Sequence, residues 1–432
     1  MNPSPSPATT SFYGWKTLVG VMITYAGLCG DLTYAYGVFL PAMGETFGWS
    51  RSALSGPYIT FLIVGGILGP LAGMSVARFG ARKIVVAANL AATLGMLGMA
   101  SVGEVWHLHL CFGVLGGLGI GFGEFIPLTT IVNSWFIRKR SLAMGLLFAS
   151  GGVGGFLLPP LISSLITGWG WRWAWVALAA IHLVLTVILG GLIIRSRPED
   201  MGQVPDGHAG IFAGIGAGAP LVRRVYHTPT DWTLGEALRS PVLWMIVALF
   251  SIILFVTNML TTHQVAYLQD LHFSPLVSAT ALGLMLGMSI LGRIVCGLLG
   301  MQFEGRRLAF VFLLCMGLGV LSLLSARSVG FVYAYSILTG VGFGGMIVLM
   351  PNLMGAYFGR TSYSQIVGWT TPVVMLLSAI SPWLAGMLYD RTGQYLLPFA
   401  TAMGLVVVGL MVAALAKPPQ PRQEGDSGAE RP

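Results

Sequence analysis

Polar and charged residues gather in short clusters along this chain. Between them lie twelve mostly apolar stretches, at 17–41, 54–76, 83–102, 107–132, 141–167, 173–194, 242–268, 276–301, 308–325, 330–355, 362–386 and 395–416. Each is 18 to 27 residues long, and about 20 residues of helix cross the hydrocarbon of a bilayer. The pattern predicts an all-α polytopic membrane protein with twelve transmembrane helices, its main partner being the lipid bilayer itself. Composition agrees: 55% of the 432 residues are hydrophobic and 9% are charged, against roughly 25% charged in a soluble domain.

The basic residues orient the chain. Twelve spans put both ends on one face, and 18 of the 23 Lys and Arg fall there, among them Lys16, Arg78, Arg82, Lys83, Arg138, Lys139, Arg140, Arg306 and Arg307. Only Arg51, Arg172, Arg327 and Arg391 fall on the opposite face, and Arg293 is left inside a span. Basic residues are retained in the cytoplasm, so both termini are expected there. The net charge of +8 is then a consequence of topology. Nucleic-acid binding requires a clustered basic face with aromatic platforms, and no nucleic-acid partner is expected. The short loops and tails fit a bacterial inner membrane. Cys29, Cys111, Cys296 and Cys315 all lie within predicted spans and read as small buried hydrophobes. The first fifteen residues show no basic region ahead of a short apolar segment, so no cleaved signal peptide is expected.

A cytoplasmic tail over 1–16 precedes a six-helix bundle over 17–194, and a second bundle spans 242–416 before a disordered tail over 417–432. The linker at 195–241 is rich in glycine and proline over 202–220. Its GIGAG (214–218) lacks the Lys-Ser/Thr of a phosphate loop and reads as flexible linker. In DWTLGEALRS (231–240), Thr233 and Glu236 have capping-box spacing, which predicts a short helix on the membrane surface.

The two halves repeat. LGIGFGEF (118–125) matches TGVGFGGM (339–346) at an offset of 221, and WF (135–136) matches YF (357–358) at 222. GMSVARFGARK (73–83) aligns with GLLGMQFEGRR (297–307) at 224. Two parallel six-helix repeats form the architecture of a transporter class whose substrate site lies near mid-membrane. With YGWK (13–16), WFIRKRSLAMG (135–145), GRIVCG (292–297) and YDRTGQY (389–395), the chain resembles the major facilitator superfamily over 13–416. Within it, the chain resembles the monocarboxylate transporter branch. The superfamily's loop after the second span normally has an acid where this chain has Ala77, which puts the usual charge latch of that loop in doubt.

Asp31, Glu124 and Arg293 are the charged residues well inside spans. Asp31 follows Lys16 by fifteen residues, Glu124 precedes Arg138 by fourteen and Arg293 precedes Arg306 by thirteen. At about 1.5 Å per residue, each lies roughly 20 Å from the basic surface, in one layer. An arginine at that depth faces a cavity or a counter-charge. One reading is a permanent ion pair between the halves; the other is a fork for a substrate carboxylate. The resemblance implies the second. For Asp31 the readings are a polar residue at the cavity rim or the proton carrier, and the second leads, since intramembrane acids so often serve as relays. Glu124, whose repeat partner is Gly345, is read as a packing residue or a second proton site.

Leu28, Asp31 and Tyr34 share a face at i, i+3 spacing and are expected to line the cavity from the first span. Ser289 lies one turn before Arg293. His263, near the outer end of the seventh span, is either an interfacial histidine or a gate and proton relay. The resemblance also implies absences: Tyr34 stands where animal members carry lysine, and Ser289 where they carry aspartate. Nor does 362–386 hold the second basic residue of the oxalate exchangers. One cation matches one carboxylate, since a dianion would leave a buried charge unpaired.

The expected function is therefore proton-coupled symport of small monocarboxylates such as lactate or pyruvate, with Arg293 on the carboxylate and Asp31 as first proton carrier. The alternatives are an organic-anion exchanger without proton coupling and a sensor that binds without transporting. The chain shows no metal-ligand cluster, nucleophile elbow or phosphate motif. No cofactor, metal or enzymatic activity is expected, and the protein is expected to act as a monomer.

Overall fold

The computed structural model describes residues 12–33, 35–49, 51–206 and 226–419. Spans 1 and 3 to 12 are the helices Gly14–Leu40, Ala81–Met99, Val105–Trp135, Arg140–Trp169, Trp171–Ile193, Pro241–Val265, Thr280–Leu299, Gly305–Leu324, Val329–Phe358, Tyr363–Tyr389 and Leu396–Leu415. Span 2 is the pair Gly56–Ile67 and Gly69–Phe79, bent by 51°. Pro70 sits in the first turn of the second piece, and a proline cannot donate to the carbonyl four residues back. These helices meet all twelve predicted stretches, and several run past them. Arg140–Trp169, for example, extends to residues whose charge or indole belongs at the membrane boundary.

The repeated glycine motifs are where helices approach closely, as small residues allow in membranes. A Cβ on Gly119 would stand 2.6 Å from Ala92 of span 3, and one on Gly342 would stand 2.6 Å from the Phe312 carbonyl of span 9.

Tyr13 N donates to Gln203 Oε1 at 3.0 Å, and the Tyr226 hydroxyl donates to the Pro419 carbonyl at 3.2 Å. The linker and both ends of the described chain therefore share one face. On that side the two halves are closed against each other. A Cβ on Gly145 would stand 2.8 Å from the Arg293 carbonyl and 2.9 Å from Gly297 Cα, and one on Gly69 would stand 2.7 Å from the Gly368 carbonyl. Ser141 Oγ donates to the Cys296 carbonyl at 3.2 Å and Ser364 Oγ to the Gly73 carbonyl at 3.2 Å. Arg360 Nη2 pairs with Glu199 Oε1 at 3.2 Å. Toward the opposite face, among the described residues, Gly283 and Gly287 have no neighbouring atom within 4 Å of where a side chain would begin, and Phe156 is 76% exposed.

The linker is fastened to the first half by Asp206 and to the second by Asp231, beside the Glu199–Arg360 pair. Asp206 accepts from the backbone N–H groups of Ile137, Arg138 and Lys139, the last two at 2.9 and 2.8 Å. At the repeat-related loop, Asp231 accepts from Arg360 N at 2.8 Å and from the Thr361 hydroxyl. With Ala77 in place of the usual acid, these two linker carboxylates organise the loops on this face.

The predicted surface helix is Leu234–Arg239, with the expected capping box. Thr233 N donates to Glu236 Oε2 at 2.8 Å and Glu236 N to Thr233 Oγ1 at 3.3 Å. GIGAG (214–218) lies outside the described residues. The four cysteines are free thiols, with Cys29 and Cys296 buried.

Candidate functional site

Span 1 is α-helical through Leu28 and then passes through a π-helical turn, Cys29–Thr33. Such turns insert a residue into the helical register and recur at functional sites. Tyr25, Cys29 and Thr33 accordingly face a cavity between the two halves. The expected cavity face of Leu28, Asp31 and Tyr34 is thereby corrected. Leu28 is 1% exposed within the core of the first half, Asp31 is fully buried away from the cavity, and Tyr34 lies outside the described residues. An unbroken α-helix would keep Leu28, Asp31 and Tyr34 on one face, and the π-helical turn over Cys29–Thr33 breaks that register.

Asp31 points instead at span 6. His182 Nδ1 and Asp31 Oδ2 share a hydrogen bond of 2.6 Å, and neither side chain has any exposed surface. Among the described residues, His182 Nε2 has no hydrogen-bond partner. A π-helical segment, Leu183–Leu189, begins directly after His182. His182 lies thirteen residues before Arg195, roughly 20 Å from the basic surface. It therefore shares the layer of Asp31, Glu124 and Arg293.

Glu124 sits where span 4 breaks between Gly117–Gly123 and Phe125–Trp135. Pro127 follows within one turn and withholds a donor from the Gly123 carbonyl. The break carries Glu124 to the cavity wall, where its Oε1 accepts from Cys29 Sγ at 3.3 Å.

Arg293 approaches from span 8 of the other half. Its Nη1 donates to the Phe148 carbonyl of span 5 at 2.8 Å, across the seam between the halves. Its Nε is buried and, among the described residues, has no hydrogen-bond partner, and its Cζ lies 5.9 Å from the centre of the Phe343 ring. Glu124 and Arg293 thus line one cavity of about 300 Å3, whose other walls are chiefly apolar, with Phe125, Phe148, Phe250 and Phe343 prominent and Thr370 and Thr371 on span 11. This is the small end of the range for small-molecule sites.

The remaining expected residues lie elsewhere. Ser289 is 2% exposed, and its hydroxyl donates to the Leu286 carbonyl of its own helix at 2.6 Å. It turns toward span 10, where a Cβ on Gly344 would collide with the Ser289 backbone. Being one turn from Arg293 did not bring it to the cavity. His263 is half-buried and ties span 7 to its neighbours through the Pro382 carbonyl at 2.9 Å and the Tyr395 hydroxyl at 3.3 Å. It does not line the cavity with Arg293.

Twelve helices in two repeated halves around a central cavity define the class, and the family follows from the sequence. The model of the Major Facilitator Superfamily matches residues 21–371 and 269–432, and the chain belongs to that family of transporters. It is similar to monocarboxylate transporter 4 of Gallus gallus, 25% identical over 99% of this chain and 89% of that one. Monocarboxylate transporter 13 of Bos taurus is 27% identical over 92% of this chain and 88% of its own. Among solved structures, the proton:xylose symporter XylE superposes with a TM-score of 0.70 at 14% identity, covering 92% of this chain and 94% of that one. That likeness supports the fold alone.

Proposed function

We propose that this protein is a proton-coupled symporter of small monocarboxylates, of the lactate and pyruvate type, working by alternating access with both termini in the cytoplasm of a cell inner membrane. The observation that carries the reading is the placement of one arginine and one carboxylate, Arg293 and Glu124, on the walls of one small cavity between the halves. The monocarboxylate transporters among the relatives favour the same substrate class.

Arg293 binds the substrate carboxylate. A buried donor without a partner costs about 1–3 kcal/mol, and an incoming carboxylate satisfies Nε. Glu124 takes the proton from the cavity, ahead of Asp31, which is closed off against His182. Empty, the site pairs a guanidinium with a carboxylate; loaded, it pairs the guanidinium with the substrate anion beside a protonated Glu124. Both are neutral. Substrate alone or proton alone leaves a net charge in a low-dielectric cavity, and such half-loaded forms reorient slowly. Neutral loading also frees transport from the membrane potential, which acts at about 2.3 kcal/mol per charge per 100 mV. The protein acts as a monomer, since each chain carries a whole cavity.

The test is labelled lactate uptake into proteoliposomes with an alkaline interior and the potential clamped at zero. Accumulation that collapses with a protonophore is expected. Exchange against preloaded anion without net accumulation would overturn the reading in favour of an organic-anion exchanger.

A further inference from the structure

On the face of the termini, the end of span 2, the start of span 3 and the chain after span 6 enclose a recess of about 870 Å3. Arg78, Arg82, Lys83, Arg195 and Arg197 line it, with Asp200 the sole acid among its lining residues. Asp200 is already engaged, accepting from Arg197 N at 3.2 Å. Among the described residues none of the five cations stands in an ion pair. Two of them are partly tied to backbone: Arg82 Nε donates to the Gly191 carbonyl at 2.8 Å and Arg195 Nη1 to the Leu192 carbonyl at 2.7 Å. Arg78 and Lys83 are exposed, as is Arg197.

Topology explains why basic residues lie on this face, but not why five from three elements converge on one recess with a single acid to balance them. The lower wall decides the chemistry of the ligand. It is formed by Val86, Ala87 and Leu90 of span 3, where Ala87 and Leu90 are exposed on the flank of a membrane helix. A basic rim above an apolar flank matches a phosphate-bearing headgroup followed by acyl chains. A soluble phosphate uses only the rim.

We infer that this recess binds the headgroup of an anionic phospholipid from the leaflet on the termini's side, with its chains along Val86, Ala87 and Leu90. Basic clusters between helices on the cytoplasmic side are suited to such headgroups. The inference does not rest on the transport reading, because retention is measured without transport.

The experiment is native mass spectrometry of the full chain purified in detergent with equal amounts of phosphatidylglycerol and phosphatidylcholine. Phosphatidylglycerol is expected to stay bound in preference. Each basic side chain near an anionic surface contributes about fivefold to affinity, so Arg78→Gln with Arg197→Gln should lower retention about 30-fold. Both side chains are exposed, and an unchanged melting temperature of the variant in detergent serves as the folding control. Equal retention of the two lipids by the unmodified chain needs no variant and would overturn the inference. So would undiminished retention in the folded double variant. Displacement of bound phosphatidylglycerol by inorganic phosphate alone would assign the recess to a soluble anion instead.

Discussion

His182 of span 6 holds the Asp31 carboxylate of span 1 at 2.6 Å in a site sealed from both the cavity and the lipid. Neither side chain has exposed surface, so the pair is closed to proton exchange with the cavity. Glu124, by contrast, has a face on the cavity, which is why the proposed symport assigns the exchangeable proton to it.

Removing one member of a buried pair costs about 3–5 kcal/mol, because the partner is left uncompensated. His182→Ala should therefore lower the melting temperature in detergent clearly, whereas Asp31→Asn with His182→Asn, which keeps a neutral hydrogen-bonded pair, should recover most of the loss. Asp31→Asn alone, if folded, should retain uptake driven by a pH gradient. Uptake that has lost its pH drive in that variant would return the exchangeable proton to Asp31.

Glu124→Gln mimics the protonated carboxyl permanently. It should abolish accumulation driven by a pH gradient while leaving counterflow of labelled lactate intact. Preserved pH-driven accumulation in this variant is the result that would sink the proton role of Glu124.

The twelve spans, the two halves and Arg293 were legible in the sequence because long apolar runs and a lone intramembrane charge leave few structural choices. Asp31 was found, but its direction was not. A π-helical turn over Cys29–Thr33 leaves no hydrophobic signature, so helical spacing put Leu28 on the cavity when Tyr25, Cys29 and Thr33 belong there. His182 was visible and in the right layer, but which of its neighbours it meets depends on helix packing, which a single sequence does not encode locally. Ser289 failed for a related reason: residues one turn apart still differ in azimuth, and the Gly344 contact drew its face toward span 10.

Arg293→Ala should raise the half-saturation for lactate about 10- to 100-fold, the equivalent of about 1.5–3 kcal/mol for hydrogen bonds to a charged group. Arg293→Lys should be impaired as well, since an ammonium lacks the planar fork. Concentration-dependent uptake in proteoliposomes checks both, and unaltered uptake by the alanine variant would remove Arg293 from the site.

Gly145 allows spans 5 and 8 to touch backbone to backbone. Gly145→Val would place carbon where the Arg293 carbonyl and Gly297 stand at 2.8 and 2.9 Å, so the face of the termini should fail to close. Distances between spin labels on spans 5 and 8 should lengthen at that face, and turnover should fall. An unchanged distance distribution would show that the seam tolerates the side chain.

The surface helix offers a check on pH. The Thr233 backbone N–H, and secondly its hydroxyl, hold the Glu236 carboxyl below its usual range. A depressed carboxyl contributes stability that is present above the ordinary value of about 4.5 and lost as pH falls through the folded one. Amide exchange over 234–239, corrected for its intrinsic pH dependence, should show lost protection at acid pH in the parent and little pH effect in Glu236→Gln. Identical profiles would mean that the box does not hold the helix.

Arg293 meets the other half twice, through its carbonyl at Gly145 and through Nη1 on the Phe148 carbonyl. The aim of the guanidinium therefore depends on the seam being shut. On the alternating-access reading, rocking the halves apart on that face loses the tether, and the same arginine presents itself less rigidly to the same anion. Affinity on the two sides of the membrane should then be unequal, tighter from the side opposite the termini. Reciprocity requires that a bound carboxylate, in turn, favour the shut seam by the same factor. On the symport reading, one backbone acceptor, the Phe148 carbonyl, makes the two faces of the transporter unequal in affinity, although at equilibrium only the gradients set its direction.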